Sequence, residues 1–189
     1  MRIIAGSLRS RSIKSPKGLS CRPAMGRTRE AIFSMLEARG VVWPNSRVLD
    51  IFAGTGSLSF EALSRGAQEC YLLEQDPKAL ACIQANAESL GLLGRVKIIP
   101  GDAVKTIRQG TMTPFEVVFI DPPYRQNLVN QVLNSLLSLG WVKEGAWLLA
   151  EVEEGAKLSL PKRLDCVTKR LFGQTEVFFL QVLPESSQL

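Results

Sequence analysis

A short apolar run that ends at two prolines constrains the fold more than any other stretch of the chain. Residues 117–120 are β-branched or aromatic throughout, which predicts a strand buried on both faces, as in a parallel sheet. Pro122 and Pro123 have no amide hydrogen to donate, so the strand must end and the backbone must leave the sheet. Asp121 and Tyr124 are thereby placed at a strand's carboxyl end, where open α/β sheets bind ligands.

The residues of this loop suit the binding of a nucleobase amine. The lone pair of an exocyclic amine is delocalised into the ring, so the amine attacks poorly until its N–H bonds are accepted. The Asp121 carboxylate and the Pro122 carbonyl are two adjacent acceptors, and the Tyr124 ring offers a stacking face worth about 1–3 kcal/mol per base. The alternative is an ordinary loop that carries a surface tyrosine.

A second strand end, in residues 47–59, carries a glycine turn followed by a helical pattern. Gly54 and Gly56 allow a tight turn and a close approach of the backbone to a ligand. A dinucleotide fold has a similar pattern, but Ser59 occupies the place of its third glycine. Asp50 would repel a pyrophosphate, whereas it would favour the cationic amino group or sulfonium of S-adenosylmethionine.

Two further acids follow predicted strands. Glu74 ends the second strand, where Rossmann-like folds accept hydrogen bonds from ribose hydroxyls; the alternative is a solvated acid at a strand end. Asp102 follows the third strand, residues 96–99. It is expected to cap the next helix, to bind the adenine amino group of a nucleoside cofactor, or to do both.

Strand and helix patterns alternate up to about residue 150, which predicts an α/β fold with a Rossmann-like, mostly parallel sheet. The first and fourth strands are expected to lie side by side at the switch point. Two β-rich runs after residue 166 predict a C-terminal antiparallel hairpin. The other predicted elements are helices over 28–39, 57–66, 77–90 and 129–136, and a fifth strand over 147–150.

The first 30 residues are strongly basic, with Glu30 as their single acid. They predict a small basic hairpin or extended arm that contacts phosphates, each neutralised phosphate adding a salt-dependent increment to affinity. The alternative is a flexible basic tail. Residues 1–40 are expected to form this arm and its helix, and residues 41–189 a single compact catalytic unit. The candidate phosphate contacts of a nucleic-acid partner are Arg9, Arg11, Arg22, Arg27 and Arg29.

The amino-acid composition excludes several classes of catalytic and metal site. The chain has no histidine, which excludes Ser-His-Asp catalysis and the usual histidine-bearing zinc sites, and no metal site is predicted. Its four cysteines form no Cys-x-x-Cys pair, which predicts reduced thiols in a cytoplasmic protein. No membrane span or signal peptide is recognisable. The net charge of +5 favours an anionic partner, and a monomer is expected.

These residues together resemble the class I S-adenosylmethionine-dependent methyltransferases and, among them, the RsmD-type 16S ribosomal RNA guanine-N2 methyltransferases. The glycine turn and Asp-Pro-Pro-Tyr are shared by many methyltransferases, whereas the N-terminal blocks and residues 61–67 are more particular to this family. One departure is Ala24-Met25-Gly26, where the family usually has hydroxyl or acidic residues. The matching segments are residues 1–6 with Arg9 and Arg11, 22–23, 27–31, 49–56, 61–67, Asn86 and 121–124.

The resemblance implies methyl transfer from S-adenosylmethionine to the N2 amine of a guanine, guanine 966, in 16S ribosomal RNA of the assembled or assembling small subunit. S-adenosylhomocysteine is the product. The implied catalytic residues are Asp121, Pro122 and Tyr124, with Pro123 as a substrate contact. The implied cofactor contacts are Asp50, Phe52, Gly54, Gly56, Glu74 and Asp102.

Three other functions remain open from the sequence. An adenine-N6 methyltransferase acting on DNA or RNA could use the same four-residue loop. A NAD-dependent oxidoreductase would account for the glycine turn and Glu74, but it leaves Asp-Pro-Pro-Tyr unexplained. A catalytically silent RNA-binding protein is suggested only by the basic N-terminus.

Overall fold

The computed structural model describes residues 1–16, 23–110, 113–123 and 128–185, without the side chains of residues 23–25. Arg22 and Tyr124, two of the predicted site residues, lie outside the described residues. The chain divides into two compact units, Met1–Pro100 and Gly101–Leu189. The predicted boundary after residue 40 stays a prediction.

Five helices and seven strands are assigned in the described parts of the chain. In chain order they are α1 (Pro23–Ala38), β1 (Arg47–Ile51), α2 (Ser57–Arg65), β2 (Glu69–Glu74), α3 (Pro77–Leu90), β3 (Val96–Pro100), α4 (Ala103–Ile107), β4 (Phe115–Ile120), α5 (Leu128–Ser138), β5 (Val142–Glu153), β6 (Leu164–Phe172) and β7 (Thr175–Val182).

The first unit contains the parallel strands β3, β2 and β1, in that order. Residues Val48, Leu49 and Ile51 of β1 are fully buried, as expected of a strand covered on both faces. Helices α2 and α3 connect the strands. Asp76 caps α3 by accepting a 2.8 Å hydrogen bond from the Lys78 N–H, and Pro77 occupies the start of that helix, where a missing amide hydrogen costs nothing.

The first unit also contains a short basic hairpin, residues 1–16, called the N-terminal hairpin below. Its two sides are joined by hydrogen bonds from the Ile3 N–H to the Arg11 carbonyl, 3.0 Å, and from the Ile13 N–H to the Met1 carbonyl, 2.9 Å. Ile3 and Ile13 are 2% exposed, so both sides contribute to the core. The predicted basic hairpin is therefore confirmed.

The second unit contains strands β4, β5, β7 and β6, in that order. Strand β5 runs parallel to β4 and antiparallel to β7, and β6 pairs with β7 as an antiparallel hairpin. Trp141 stacks on Phe115 with ring centroids 6.1 Å apart. Its indole N–H donates a 2.8 Å hydrogen bond to the Ile107 carbonyl, which fixes the helical connection ahead of β4.

The predicted α/β class and the C-terminal antiparallel hairpin are confirmed. Several elements extend beyond their predicted bounds, most of all α1 and β5. Helix α1 begins at Pro23 rather than near Thr28, because a proline is compatible with the first helical turn. Strand β5 begins at Val142 rather than at Trp147, and residues 143–145 are exposed and are charged or glycine, so they give no apolar signal. No helix in the described parts of the chain is both long and apolar enough to span a bilayer.

Candidate functional site

The glycine turn after β1 has three residues in the left-handed backbone region: Phe52 at φ +69°, Gly54 at +56° and Gly56 at +72°. A bulky residue rarely adopts such a φ, and its presence often marks a functional segment. A Cβ on Gly56 would lie 2.8 Å from the Phe60 ring and 2.9 Å from a Leu72 methyl group. Gly56 is therefore required both by its backbone angle and by close packing.

Asp50 lies in β1 directly ahead of this turn and is 2% exposed. Its carboxylate accepts a 2.7 Å hydrogen bond from the Ser59 hydroxyl on α2. A buried carboxylate is stabilised by such donors. Ser59 occupies the place of a third glycine, and the sequence interpretation assigned it no role. Its hydroxyl fixes the orientation of the Asp50 carboxylate, on which the predicted preference for a cationic ligand depends.

Glu74 at the end of β2 is hydrogen-bonded to the backbone of the glycine turn. One carboxylate oxygen, Oε2, accepts a 2.7 Å hydrogen bond from the Gly54 N–H. The other, Oε1, accepts hydrogen bonds from the N–H groups of Gln75, at 2.8 Å, and Asp76, at 2.9 Å. A carboxylate has about four acceptor positions, so Oε2 keeps a lone pair that is suited to a ribose hydroxyl. The link to Gly54 was not anticipated from the sequence.

Asp102 begins α4 and belongs to the second unit. Its side chain accepts a 2.8 Å hydrogen bond from the Lys105 N–H, which confirms the predicted helix cap. The residue is exposed, so the rest of its carboxylate is accessible. Contact with an adenine amino group stays a prediction.

The Asp-Pro-Pro loop follows β4, also in the second unit. Pro122 is buried, while Asp121 and Pro123 are exposed. Although Asp121 lies at the surface, the protein packed around its carboxyl group withdraws it from bulk water, and this burial raises its pKa to about 6. Desolvation disfavours the charged form of a carboxyl group. Asp121 is therefore largely ionised at pH 7 and accepts a proton more readily than an ordinary aspartate.

The basic candidates differ in what their side chains do. Arg9, Arg11 and Arg27 are exposed, as expected of residues that contact phosphates. Arg11 also donates a 2.7 Å hydrogen bond to the Ser89 carbonyl. Arg29 is only 5% exposed and donates a 2.5 Å hydrogen bond to the Arg2 carbonyl. Its position favours a structural role over the predicted RNA contact.

Three polar residues that the sequence interpretation gave no role hold the N-terminal hairpin. They are Glu61 and Ser64 on α2 and Asn86 on α3, and all three are buried. The signal available in the sequence is a run of polar side chains at positions that helical periodicity places on an apolar face. Buried charged groups are almost always paired, but the sequence does not say with what.

Comparison with a solved structure defines the class of protein. A candidate methyltransferase from Escherichia coli matches with a TM-score of 0.86 and 30% identity, over 98% of this chain and 99% of that chain. Together with the strand order inside each unit and the glycine turn after β1, this places the protein in the Rossmann-like class I methyltransferase fold.

The model of the family described as Conserved hypothetical protein 95 matches residues 1–181, and the chain belongs to this family. A relative named ribosomal RNA small subunit methyltransferase D from Escherichia coli K12 is 32% identical over 175 residues, 92% of this chain and 86% of the relative. Its namesake from Buchnera aphidicola of Acyrthosiphon pisum is 32% identical over 176 residues, 93% and 90% of the two chains. The resemblance to the RsmD type is thereby confirmed.

Proposed function

We propose that this protein transfers a methyl group from S-adenosylmethionine to the N2 amine of a guanine in 16S ribosomal RNA, with guanine 966 as the target. The observation that carries the proposal is family membership: two relatives named ribosomal RNA small subunit methyltransferase D align with more than nine-tenths of the chain. The chemistry of the two strand ends supports it independently.

The glycine turn after β1 and the neighbouring end of β2 suit the binding of the cofactor. S-adenosylmethionine, when bound, supplies a methyl carbon on a positively charged sulfur. The buried Asp50 carboxylate places negative charge beside the glycine turn, which favours a cationic ligand over a pyrophosphate. Glu74 retains acceptor capacity for a ribose hydroxyl, and Gly54 leaves space where the ligand must approach the backbone. In this proposal Phe52 shapes the turn, and Asp102 accepts from the adenine amino group.

The Asp-Pro-Pro loop after β4 suits the binding of the guanine amine. The Asp121 carboxylate and the Pro122 carbonyl accept the two N–H bonds of the guanine amine, which makes its lone pair available for attack on the methyl carbon. The new C–N bond forms as the C–S bond breaks, and the nitrogen then becomes acidic. Asp121, with a pKa of about 6, or water takes the proton, so no strong base is required.

The remaining residues position the nucleic acid. A paired base hides its amine, so the target guanine is turned out of its stack before reaction. In this proposal Tyr124 stacks on that base and Pro123 contacts it, while exposed arginines of the first unit contact phosphates. The transfer disperses the charge of the sulfonium, so alignment in a dry site supplies much of the rate.

The test is transfer of an isotope-labelled methyl group to small ribosomal subunits that lack the modification, followed by identification of the nucleoside. We expect N2-methylguanosine at guanine 966, and no transfer to subunits that already carry it. N6-methyladenosine would overturn the proposal in favour of the adenine alternative. If the protein is retained on RNA but binds no cofactor in calorimetry, a catalytically silent RNA-binding protein would be favoured. If it binds NAD instead of S-adenosylmethionine, an oxidoreductase would be favoured.

A further inference from the structure

The N-terminal hairpin is fastened to α2 by a fully buried carboxylate. Glu61 is 0% exposed. Its Oε2 accepts a 2.8 Å hydrogen bond from the Ile4 N–H, and its Oε1 a 3.0 Å hydrogen bond from the Ala5 N–H. The hairpin presents these two neighbouring N–H groups to α2 itself, so one side chain on the helix fixes two backbone groups of the hairpin.

Two guanidinium groups compensate the buried charge of Glu61. Arg65 Nε lies 2.9 Å from Oε1, and Arg29 Nε lies 3.8 Å from Oε2. Arg65 also pairs with Glu37 of α1 at 2.8 Å. Removing one member of a buried ionic group leaves the others uncompensated, so the cluster ties the hairpin, α1 and α2 into one arrangement.

Ser64 and Gly6 make the contact between hairpin and helix close as well as polar. The Ser7 N–H donates to the Ser64 carbonyl at 2.7 Å, and the Ser64 hydroxyl accepts from the Leu8 N–H at 2.9 Å. A Cβ on Gly6 would lie 1.9 Å from the Ser64 carbonyl oxygen. The backbone of the hairpin therefore lies directly against α2, with no room for a side chain between them.

A separate attachment lies on α3. The Asn86 side chain accepts a 2.8 Å hydrogen bond from the Lys14 N–H and donates a 3.0 Å hydrogen bond to the Lys14 carbonyl. Asn86 is itself 0% exposed. The hairpin is therefore held at two places, by α2 at residues 4–8 and by α3 at residue 14.

We propose that Glu61 is a positioning residue for the RNA substrate: it holds the N-terminal hairpin so that exposed arginines such as Arg9 and Arg11 meet phosphates without first being ordered. This inference rests on the proposed function, since it assumes that the substrate is RNA. A hairpin ordered during folding does not have to be ordered during binding, so the same charges give a higher affinity.

The test is the variant Glu61→Gln, which keeps the side-chain shape but removes the charge and turns one acceptor into a donor that faces the hairpin amides. We expect the KM for small subunits to rise about tenfold and kcat to stay within about twofold, because binding common to ground and transition states is lost. The salt dependence of binding should keep its slope, because every arginine remains. Cofactor affinity should not change.

Glu69→Gln is the matched control. Glu69 pairs with Arg47 at 2.7 Å in the same unit, so this variant also loses a carboxylate–guanidinium pair. It should keep the KM of the unmodified protein. Hydrogen exchange reports the attachment directly: the amides of residues 4 and 5 should exchange faster in Glu61→Gln and at the original rate in Glu69→Gln.

A wild-type KM and kcat for Glu61→Gln, measured at a temperature where both proteins are folded, would show that Glu61 only stabilises the fold and would overturn the inference. If Glu61→Gln does not fold, Asn86→Ala tests the same idea at the second attachment, with an expected rise in KM of about threefold. Binding to small subunits can also be measured without methyl transfer. Equal affinities of the wild type and the variants would overturn the inference. Absence of methyl transfer by the wild type would instead refute the proposed function.

Discussion

The carboxyl ends of β1 and β4 each present an aspartate, and the two acids differ in how the protein holds them. Asp50 is 2% exposed and receives the Ser59 hydroxyl at 2.7 Å. Asp121 lies at the surface, but the protein packed around its carboxyl group withdraws that group from bulk water and raises its pKa to about 6. One site fixes a charge in place, whereas the other leaves a carboxylate able to take a proton near neutral pH.

This difference matches a division of labour between binding and chemistry. A carboxylate that must attract a cation works best when its charge is permanent and its orientation fixed. A carboxylate that accepts a proton during a reaction works best with a pKa close to the working pH. The proposed roles of Asp50 and Asp121 follow from these requirements, and the comparison can be tested at each end separately.

The largest effect is expected from Asp121→Ala. It should lower turnover by about 10² to 10⁴, because it removes an acceptor for the amine in the transition state. Cofactor affinity should be largely kept. Single-turnover methylation at saturating cofactor and calorimetry measure the two quantities, and Asp121→Asn separates loss of charge from loss of the side chain. Near-normal turnover of Asp121→Ala would remove this residue from the mechanism.

The second prediction concerns pH. The raised pKa of Asp121 means that protonation begins to cost activity near pH 6, rather than near 4 as for an ordinary aspartate. The single-turnover rate should fall about tenfold per pH unit below pH 6 and stay level above it. Asp121→Asn should show no such fall between pH 5 and 7. An onset near pH 4 in the wild type would contradict the assignment.

At the end of β2, Glu74→Gln should weaken cofactor binding about tenfold, because its single oxygen cannot replace both Oε2, which accepts from the Gly54 N–H, and Oε1, which accepts from the N–H groups of Gln75 and Asp76. Turnover at saturating cofactor should change little. Calorimetry with S-adenosylmethionine checks the affinity. Glu88→Gln on the exposed face of α3 is the control and should bind normally; equal affinities for the two variants would exclude Glu74 from the cofactor site.

The smallest effect is expected from Ser59→Ala, which takes one donor away from Asp50. We expect cofactor affinity to fall about threefold and Tm to drop by about 2–4 °C, with turnover at saturation retained. Thermal unfolding and calorimetry measure both. Ser34→Ala, at an exposed position of α1, should leave both values unchanged. A lower Tm with intact cofactor affinity would mean that the hydroxyl serves stability alone.

The elements that carry the site could be predicted from the sequence, because each is specified by neighbouring residues. Glycines that need a left-handed backbone, prolines that end a strand and acids after apolar runs are all local signals. The predicted strand over residues 117–120 lies within β4, Phe115–Ile120, and the predicted cap Asp102 is found at the start of α4. Local rules suffice where the partners of a residue lie within one turn.

The attachment of the N-terminal hairpin could not be predicted, because its partners are far apart in the chain. Ile4 and Glu61 are separated by 57 positions, and Lys14 and Asn86 by 72. Counting charges along the sequence assigned Arg29 to RNA, but only the folded chain places its guanidinium beside Arg2 and Glu61. The bond from Gly54 to Glu74 was missed for the same reason.

Helix α2 joins the glycine turn to the attachment of the hairpin, and it is only nine residues long. Gly56 is its N-cap, and Glu61 and Ser64 follow five and eight positions later. Each residue of an α-helix rotates the next by about 100°, so a single insertion between Gly56 and Glu61 would turn both side chains away from the hairpin. The number of residues between Gly56 and Glu61 is therefore fixed by the direction in which the side chains must point. Substitutions can be tolerated in this segment, whereas insertions and deletions cannot.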